Sequence, residues 1–235
     1  MNNKANSRTL VVAAHPDDEI LGCGGTIAKL ASRGEEIAVL FVAEGESARF
    51  RCDQLESAFV KQKIEERNSN AVKALGAVGV RSANVTFLNF PCCRLDQIPI
   101  IEVTKKIEET IGFFNPSCIF CNAANDTNID HRVVFNATLA AARPLKSPSL
   151  RSIYCFEVLS STEWNTTRPF RPTHFECITN FIDQKIEAMR IYGQELMDFP
   201  HSRSEQGIKA LASYRGMQVG VKAAEGFELI RRLNL

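Results

Sequence analysis

Ile37-Ala38-Val39-Leu40-Phe41-Val42 is an unbroken apolar run of strand length. Such a strand is stable only when both of its faces are covered, as in a parallel sheet. A second run, Leu10-Val11-Val12-Ala13, precedes it and predicts a strand over about 9–14. Between them, residues 24–33 read as a helix that stops at Gly34. Strand, helix, strand in this space is a βαβ unit, right-handed almost without exception. The expected class is therefore α/β, with a mostly parallel sheet and helices on both faces.

The alternation continues along the chain. Helices are predicted over about 55–76, 100–113 and 133–142, with strands over about 85–88 and 118–121. Beyond that the pattern loosens. Strands are expected over about 153–158 and 174–178, helices over about 180–192 and 203–215, and a short closing segment over 224–229. No repeat, linker or break in composition divides the sequence. Residues 1–235 read as one domain, with a polar tail at 1–8.

Composition excludes several classes. Hydrophobic residues make up 45% and charged residues 23%, enough apolar material for a packed core. The formal net charge is +1 and the basic residues are scattered, so no nucleic-acid partner is expected. No apolar stretch approaches the roughly 20 residues of a membrane span. The N-terminus lacks the apolar centre of a secretory signal, which makes a cytoplasmic protein the expectation. The eight cysteines have no framework spacing, and Cys118-x-x-Cys121 falls inside a strand, so free thiols are expected.

The chemistry concentrates where strands end. Ala14-His15-Pro16-Asp17-Asp18-Glu19 follows the first strand, and Asp130-His131 follows the fourth. In open α/β sheets ligands bind at the carboxyl ends of strands. His-Pro-Asp alone is equally a turn with an aspartate cap. Three consecutive acids at a strand exit, however, repel one another unless a cation is present. His15, Asp18 and His131 form a two-histidine, one-carboxylate set of the kind that holds catalytic zinc. Asp17, pointing away from Asp18, is then placed to take a proton from an attacking water as general base. Asp130 is a candidate to orient a ligand histidine. Dinucleotide binding is the rival reading of Gly22-Cys23-Gly24. The last glycine of its fingerprint is replaced by Ile27, and the acidic cluster would repel a pyrophosphate.

Taken together, the Ala14–Glu19 motif, the glycines after it and Asp130-His131 resemble the zinc-dependent N-deacetylases of the PIG-L (LmbE-like) family. Pro200-His201-Ser202-Arg203-Ser204 and Ala224-Glu225-Gly226-Phe227 are similar to its C-terminal motifs. The resemblance implies a single-domain Rossmann-like (LmbE-like) fold. It also implies hydrolysis of the N-acetyl group from an amino sugar, such as N-acetylglucosamine, or its conjugate. The metal would be Zn2+, or another divalent transition metal such as Fe2+, held by His15, Asp18 and His131, with Asp17 as base. Arg49 lies in a loop where members often place a substrate-contacting arginine. Where many members have His-Pro-Asp-His, this chain has Asn128-Ile129-Asp130-His131. Asn128 can donate to an oxyanion but cannot protonate a leaving amine. Asn128, Asp130 and His201 are thus the candidates for the oxyanion and proton-transfer roles. His174 is expected to be structural. Members often assemble, so a homo-oligomer is among the expectations. The competing function is a sugar- or nucleotide-sugar-binding protein that keeps the metal without hydrolysis.

Overall fold

The computed structural model describes residues 7–144 and 149–234. Residues 1–6 of the predicted tail lie outside the described residues, whereas Arg8 already opens the first strand. The elements run β1 (Arg8–Ala13), α1 (Asp18–Ser32), β2 (Glu36–Ala43), α2 (Ala58–Ala77), β3 (Val85–Phe90), α3 (Ile100–Phe114) and β4 (Cys118–Asn122). They continue as α4 (Ile129–Ala141), β5 (Ser152–Phe156), β6 (His174–Cys177), α5 (Ile182–Ile191), α6 (Glu205–Val219) and β7 (Ala224–Arg232).

One seven-stranded sheet, in the order β3-β2-β1-β4-β5-β7-β6, organises the chain. β1 to β5 pair parallel, and β7 and β6 add antiparallel at one end. The fold is therefore Rossmann-like and mostly parallel, as the apolar runs predict. Alternate residues of the central strands feed two cores. Val11, Val39 and Phe41 pack with residues of α1, α2 and α5, while Leu10, Val12 and Leu40 pack with residues of α3 and α4. Because both faces are covered, these strands carry no polar side at all.

From β1 the chain moves to β2 on one side and returns later to β4 on the other. Such a reversal opens a crevice above the carboxyl ends of β1 and β4. Asn122, the last residue of β4, spans it: its Oδ1 accepts the Ala14 N–H at 2.8 Å.

Several boundaries shift by a few residues, and the two helix starts that shift most both bear on the crevice. α1 starts at Asp18 rather than near residue 24, so Asp18 and Glu19, predicted for a loop, form its first turn and Asp17 is its N-cap. The glycines that suggested a loop instead permit close packing. A Cβ on Gly22 would lie 2.2 Å from the Phe156 ring, and one on Gly25 would lie 2.8 Å from Ile178. α1 bends at Cys23 (φ −145°), and Glu225 caps the part beyond the bend by accepting the Gly25 and Thr26 N–H groups at 2.9 and 2.7 Å. Likewise α4 starts at Ile129, so Asp130 and His131 belong to its first turn.

Candidate active site

Asp18 is the centre of the crevice. Its Oδ2 accepts the His15 backbone N–H at 3.0 Å and the Asn122 amide at 3.1 Å. The same oxygen lies 3.5 Å from His15 Nδ1 and 3.2 Å from His131 Nε2. All three side chains are buried. The pairing of β1 with β4 brings these residues together, as the set expected from the sequence requires.

Each histidine is backed by a carboxylate. His15 Nε2 faces Asp130 Oδ2 at 2.9 Å, and His131 Nδ1 faces Asp126 Oδ2 at 3.0 Å. Such partners fix the ring orientation and raise ligand basicity. Asp130 is itself held by the Leu95 N–H at 3.0 Å and the Cys93 N–H at 2.6 Å. Asp126 accepts from Ser161 Oγ, Thr162 Oγ1 and the Asn128 N–H.

The electrostatics favour positive charge here. Burial alone would lift Asp18, but His131 and His15 outweigh it and hold its carboxyl well below the usual range. Burial works against the His15 imidazolium, yet Asp130 and Asp18 raise it to about 9. His131 is likewise raised, with Asp18 and Asp126 overcoming burial. Three carboxylates thus hold cationic charge around two imidazoles. The spacing suits a metal ion as well. A tetrahedral ion bonded at about 2.0–2.2 Å sets its ligand atoms roughly 3.3–3.6 Å apart, close to the two Asp18 distances.

Asp17 lies beside this set with backbone φ of 117°, a costly conformation for a non-glycine residue. The surroundings enforce it. Its N–H donates to Glu19 Oε2 at 3.0 Å, and the Arg67 guanidinium clamps the Pro16 carbonyl with Nε and Nη2. Asp17 Oδ2 is 3.1 Å from both Arg67 Nη2 and Arg203 Nη1. Burial pushes Asp17 up to about 7, against the pull of the two arginines. Glu195 holds the arginines together, with contacts of 2.7, 2.5 and 2.9 Å to Arg49, Arg67 and Arg203.

These groups open into a cavity of about 230 Å³ lined by His15, Asp17, Asp18 and His131 on the floor and by Arg49, Arg67, Asn128 and Arg203 around it. Two predicted site residues fall elsewhere. Asp130 is fully buried behind His15, with Oδ2 taken by that ring and the Cys93 N–H, so its place is that of a positioning group. His201 does not line the cavity: its Nδ1 accepts the Arg203 N–H at 3.1 Å, and Arg203 takes the place at the wall. Asn128 does line it, while its Oδ1 caps α4 by accepting the Asp130 N–H at 2.9 Å. His174 lies tilted against Tyr154 and pairs with Glu176, away from the crevice. Sequence reading missed Arg67, Arg203, Glu195 and Asp126. Only Arg203 carried a signal, through the Pro200–Ser204 motif.

Fold and site together define an α/β protein with a buried histidine–carboxylate centre at a strand-end crevice. The profile of the GlcNAc-PI de-N-acetylase (PIG-L) family matches residues 10–142, and the chain belongs to that family. Escherichia coli K12 has a relative named uncharacterized deacetylase YaiS, 26% identical over 196 residues, which cover 80% of this chain and 92% of YaiS. The N,N'-diacetylchitobiose deacetylase of Pyrococcus horikoshii has the same fold, with a TM-score of 0.77 at 21% identity over 97% of this chain and 85% of its own. So does a 4-carboxy-2-hydroxymuconate hydratase of Pseudomonas putida KT2440, with a TM-score of 0.74 at 21% identity over 97% and 98%. One fold thus serves two reactions, and the assignment of chemistry has to come from the site.

Proposed function

We propose that the chain is a metal-dependent hydrolase that removes the N-acetyl group from an N-acetylated amino sugar or its conjugate. The observation that carries this reading is the joint burial of His15, Asp18 and His131 with Asp17 directly beside them in one cavity. Zn2+, or another divalent metal such as Fe2+, would be held by His15, Asp18 and His131, and when bound it supplies Lewis acidity toward the acetamide carbonyl and an activated water.

The protein's own groups do the rest. Asp17 accepts the proton of the attacking water as general base. Both arginines engage its Oδ2, which leaves Oδ1 for that transfer. With His201 outside the cavity, the same carboxyl is the group at hand to return the proton to the leaving amine. Burial has raised it to about 7, in the range where a carboxyl serves as base and then as acid. Asn128, at the cavity wall, donates to the developing oxyanion. Arg49, half-exposed at the mouth and paired with Glu46 and Glu195, contacts the substrate beyond the acetamide. The substrate class rests on the family and on the deacetylases among its relatives, and the products are acetate and a free amine.

The test is acetate release by the zinc-loaded protein across a panel of N-acetylglucosamine conjugates, including diacetylchitobiose. Hydrolysis by the wild type, lost in Asp17→Asn with zinc still bound, is the expected result. Full activity in Asp17→Asn refutes the base. Bound metal with no hydrolysis of any panel member refutes the hydrolase and leaves a sugar-binding protein.

A further inference from the structure

We propose a second metal site, for a thiophilic divalent ion, built from Cys92, Cys93, Asp130 and the Nε2 edge of His15, and that filling it shuts down the neighbouring centre. One ligand atom from each of these four residues lies within 4.8 Å of all the others. The set is distinct from His15, Asp18 and His131, although both use His15.

The cysteines carry the argument. Successive side chains of an extended segment point to opposite faces, so adjacent cysteines ordinarily diverge. Here Cys93 has φ of +55°, and the two sulfurs lie 3.7 Å apart. A tetrahedral ion with metal–sulfur bonds of about 2.3 Å holds two sulfurs roughly 3.8 Å apart. The loop is therefore already shaped as a two-sulfur chelate. Its conformation is enforced from both sides. The Cys92 N–H donates to Glu44 Oε1 at 2.9 Å and to Ser47 Oγ at 3.0 Å, and the Cys93 N–H donates to Asp130 Oδ2. Cys92 is buried, while Cys93 is exposed, and both line the catalytic cavity, which gives an ion an entry path.

Thiolate pairs select zinc, cadmium and other soft ions over magnesium or calcium. Binding releases the two thiol protons and the Nε2 proton of His15 to solvent. It also converts Asp130 from the hydrogen-bond partner of His15 into a ligand. The ring then serves two ions, and its Nδ1 loses the backing of the Asp130 carboxylate that makes it a strong ligand for the first. An excess of the metal that activates the protein thus inhibits it.

The site goes beyond the deacetylase reading, and its binding test needs no turnover, so the two fail separately. The full chain, reduced and freed of reductant, is loaded with one equivalent of Zn2+ and titrated with Cd2+ while ultraviolet absorbance and acetate release are followed. A second ion is expected to bind with thiolate-to-metal charge-transfer absorbance. Activity should fall about ten- to a hundredfold, the effect of losing an outer partner of a ligand histidine. Cys93→Ser should weaken the absorbance, and Cys92→Ser/Cys93→Ser should abolish both it and the inhibition, each variant compared with its own activity at one equivalent. His131→Ala, which removes a ligand of the first centre only, should keep the absorbance. The proposal is overturned if the wild type takes up no second ion. It is equally overturned if the double variant keeps the band, which would assign it to the exposed Cys52 or Cys177, or if that variant is inhibited like the wild type.

Discussion

Asp126→Ala offers the sharpest test of how the centre is built, because Asp126 does not line the cavity and reaches the centre through His131. Its Oδ2 lies 3.0 Å from His131 Nδ1, and the two side chains are 1% and 2% exposed. Truncation leaves His131 Nδ1 with only Ser161 Oγ at 3.4 Å and takes the acceptor from Ser161, Thr162 and the Asn128 N–H, and a buried donor left without its partner costs about 1–3 kcal/mol. It also removes the charge that makes Nε2 a strong donor, and such partners are worth about 10–100-fold in metal affinity. That factor equals about 1.4–2.7 kcal/mol of metal-binding free energy, read separately from the loss of folding stability. The assay is competition for zinc against a chromophoric chelator, with a thermal melt to establish folding. Asp126→Asn separates charge from geometry: it keeps one acceptor oxygen and should lose less than the alanine variant. A folded Asp126→Ala protein that holds zinc as tightly as the wild type would refute the role given to the carboxylate behind His131.

The other predictions concern catalysis and the scaffold. Asp17→Asn should lower acetate release by about 10²–10⁴-fold, the usual worth of a general base, with zinc stoichiometry unchanged by metal analysis. In the proposed reaction Asp17 acts as the carboxylate, so kcat/KM should rise with pH as that group ionises. Burial sets it at about 7 without metal, and a bound cation pulls it lower. The acid limb of the pH profile should therefore be centred at or below 7, and a limb centred above 7 contradicts the assignment. Glu225→Ala breaks a buried pair with Lys185 at 2.7 Å and uncaps the second half of α1. It should cost about 3–5 kcal/mol in urea unfolding. Gly22→Ala should cost about 1–3 kcal/mol in the same assay, because its methyl group would overlap the Phe156 ring.

How much of this was legible in one dimension depended on the range of the interaction. The strands over 9–14, 37–42 and 118–121 were readable because a strand buried on both faces must be apolar throughout, and that pattern is local. The acidic motif was readable because three adjacent acids at a strand end have no inexpensive structural explanation. The glycines after it misled the placement of α1. A glycine that makes a turn and one that admits Phe156 look alike in sequence, and only the packing partner separates them.

By itself, then, the sequence determined the α/β class and the parallel core, and it singled out His15, Asp17, Asp18 and His131 as candidates, which the structure gathers in one cavity. Tertiary structure alone decided what stands behind and around those side chains. It set Asp126 behind His131, it gave Asp130, expected from the sequence to orient a ligand histidine, to His15 in particular, and it left His201 outside the cavity. It also brought Arg67 and Arg203 to Asp17 across 50 and 186 positions of chain. The reason is physical. Backbone preference and burial pattern act over a few residues and leave their period in the sequence. The partner of a buried charge is chosen by which helix the sheet topology brings alongside, and nothing in the local pattern encodes that choice.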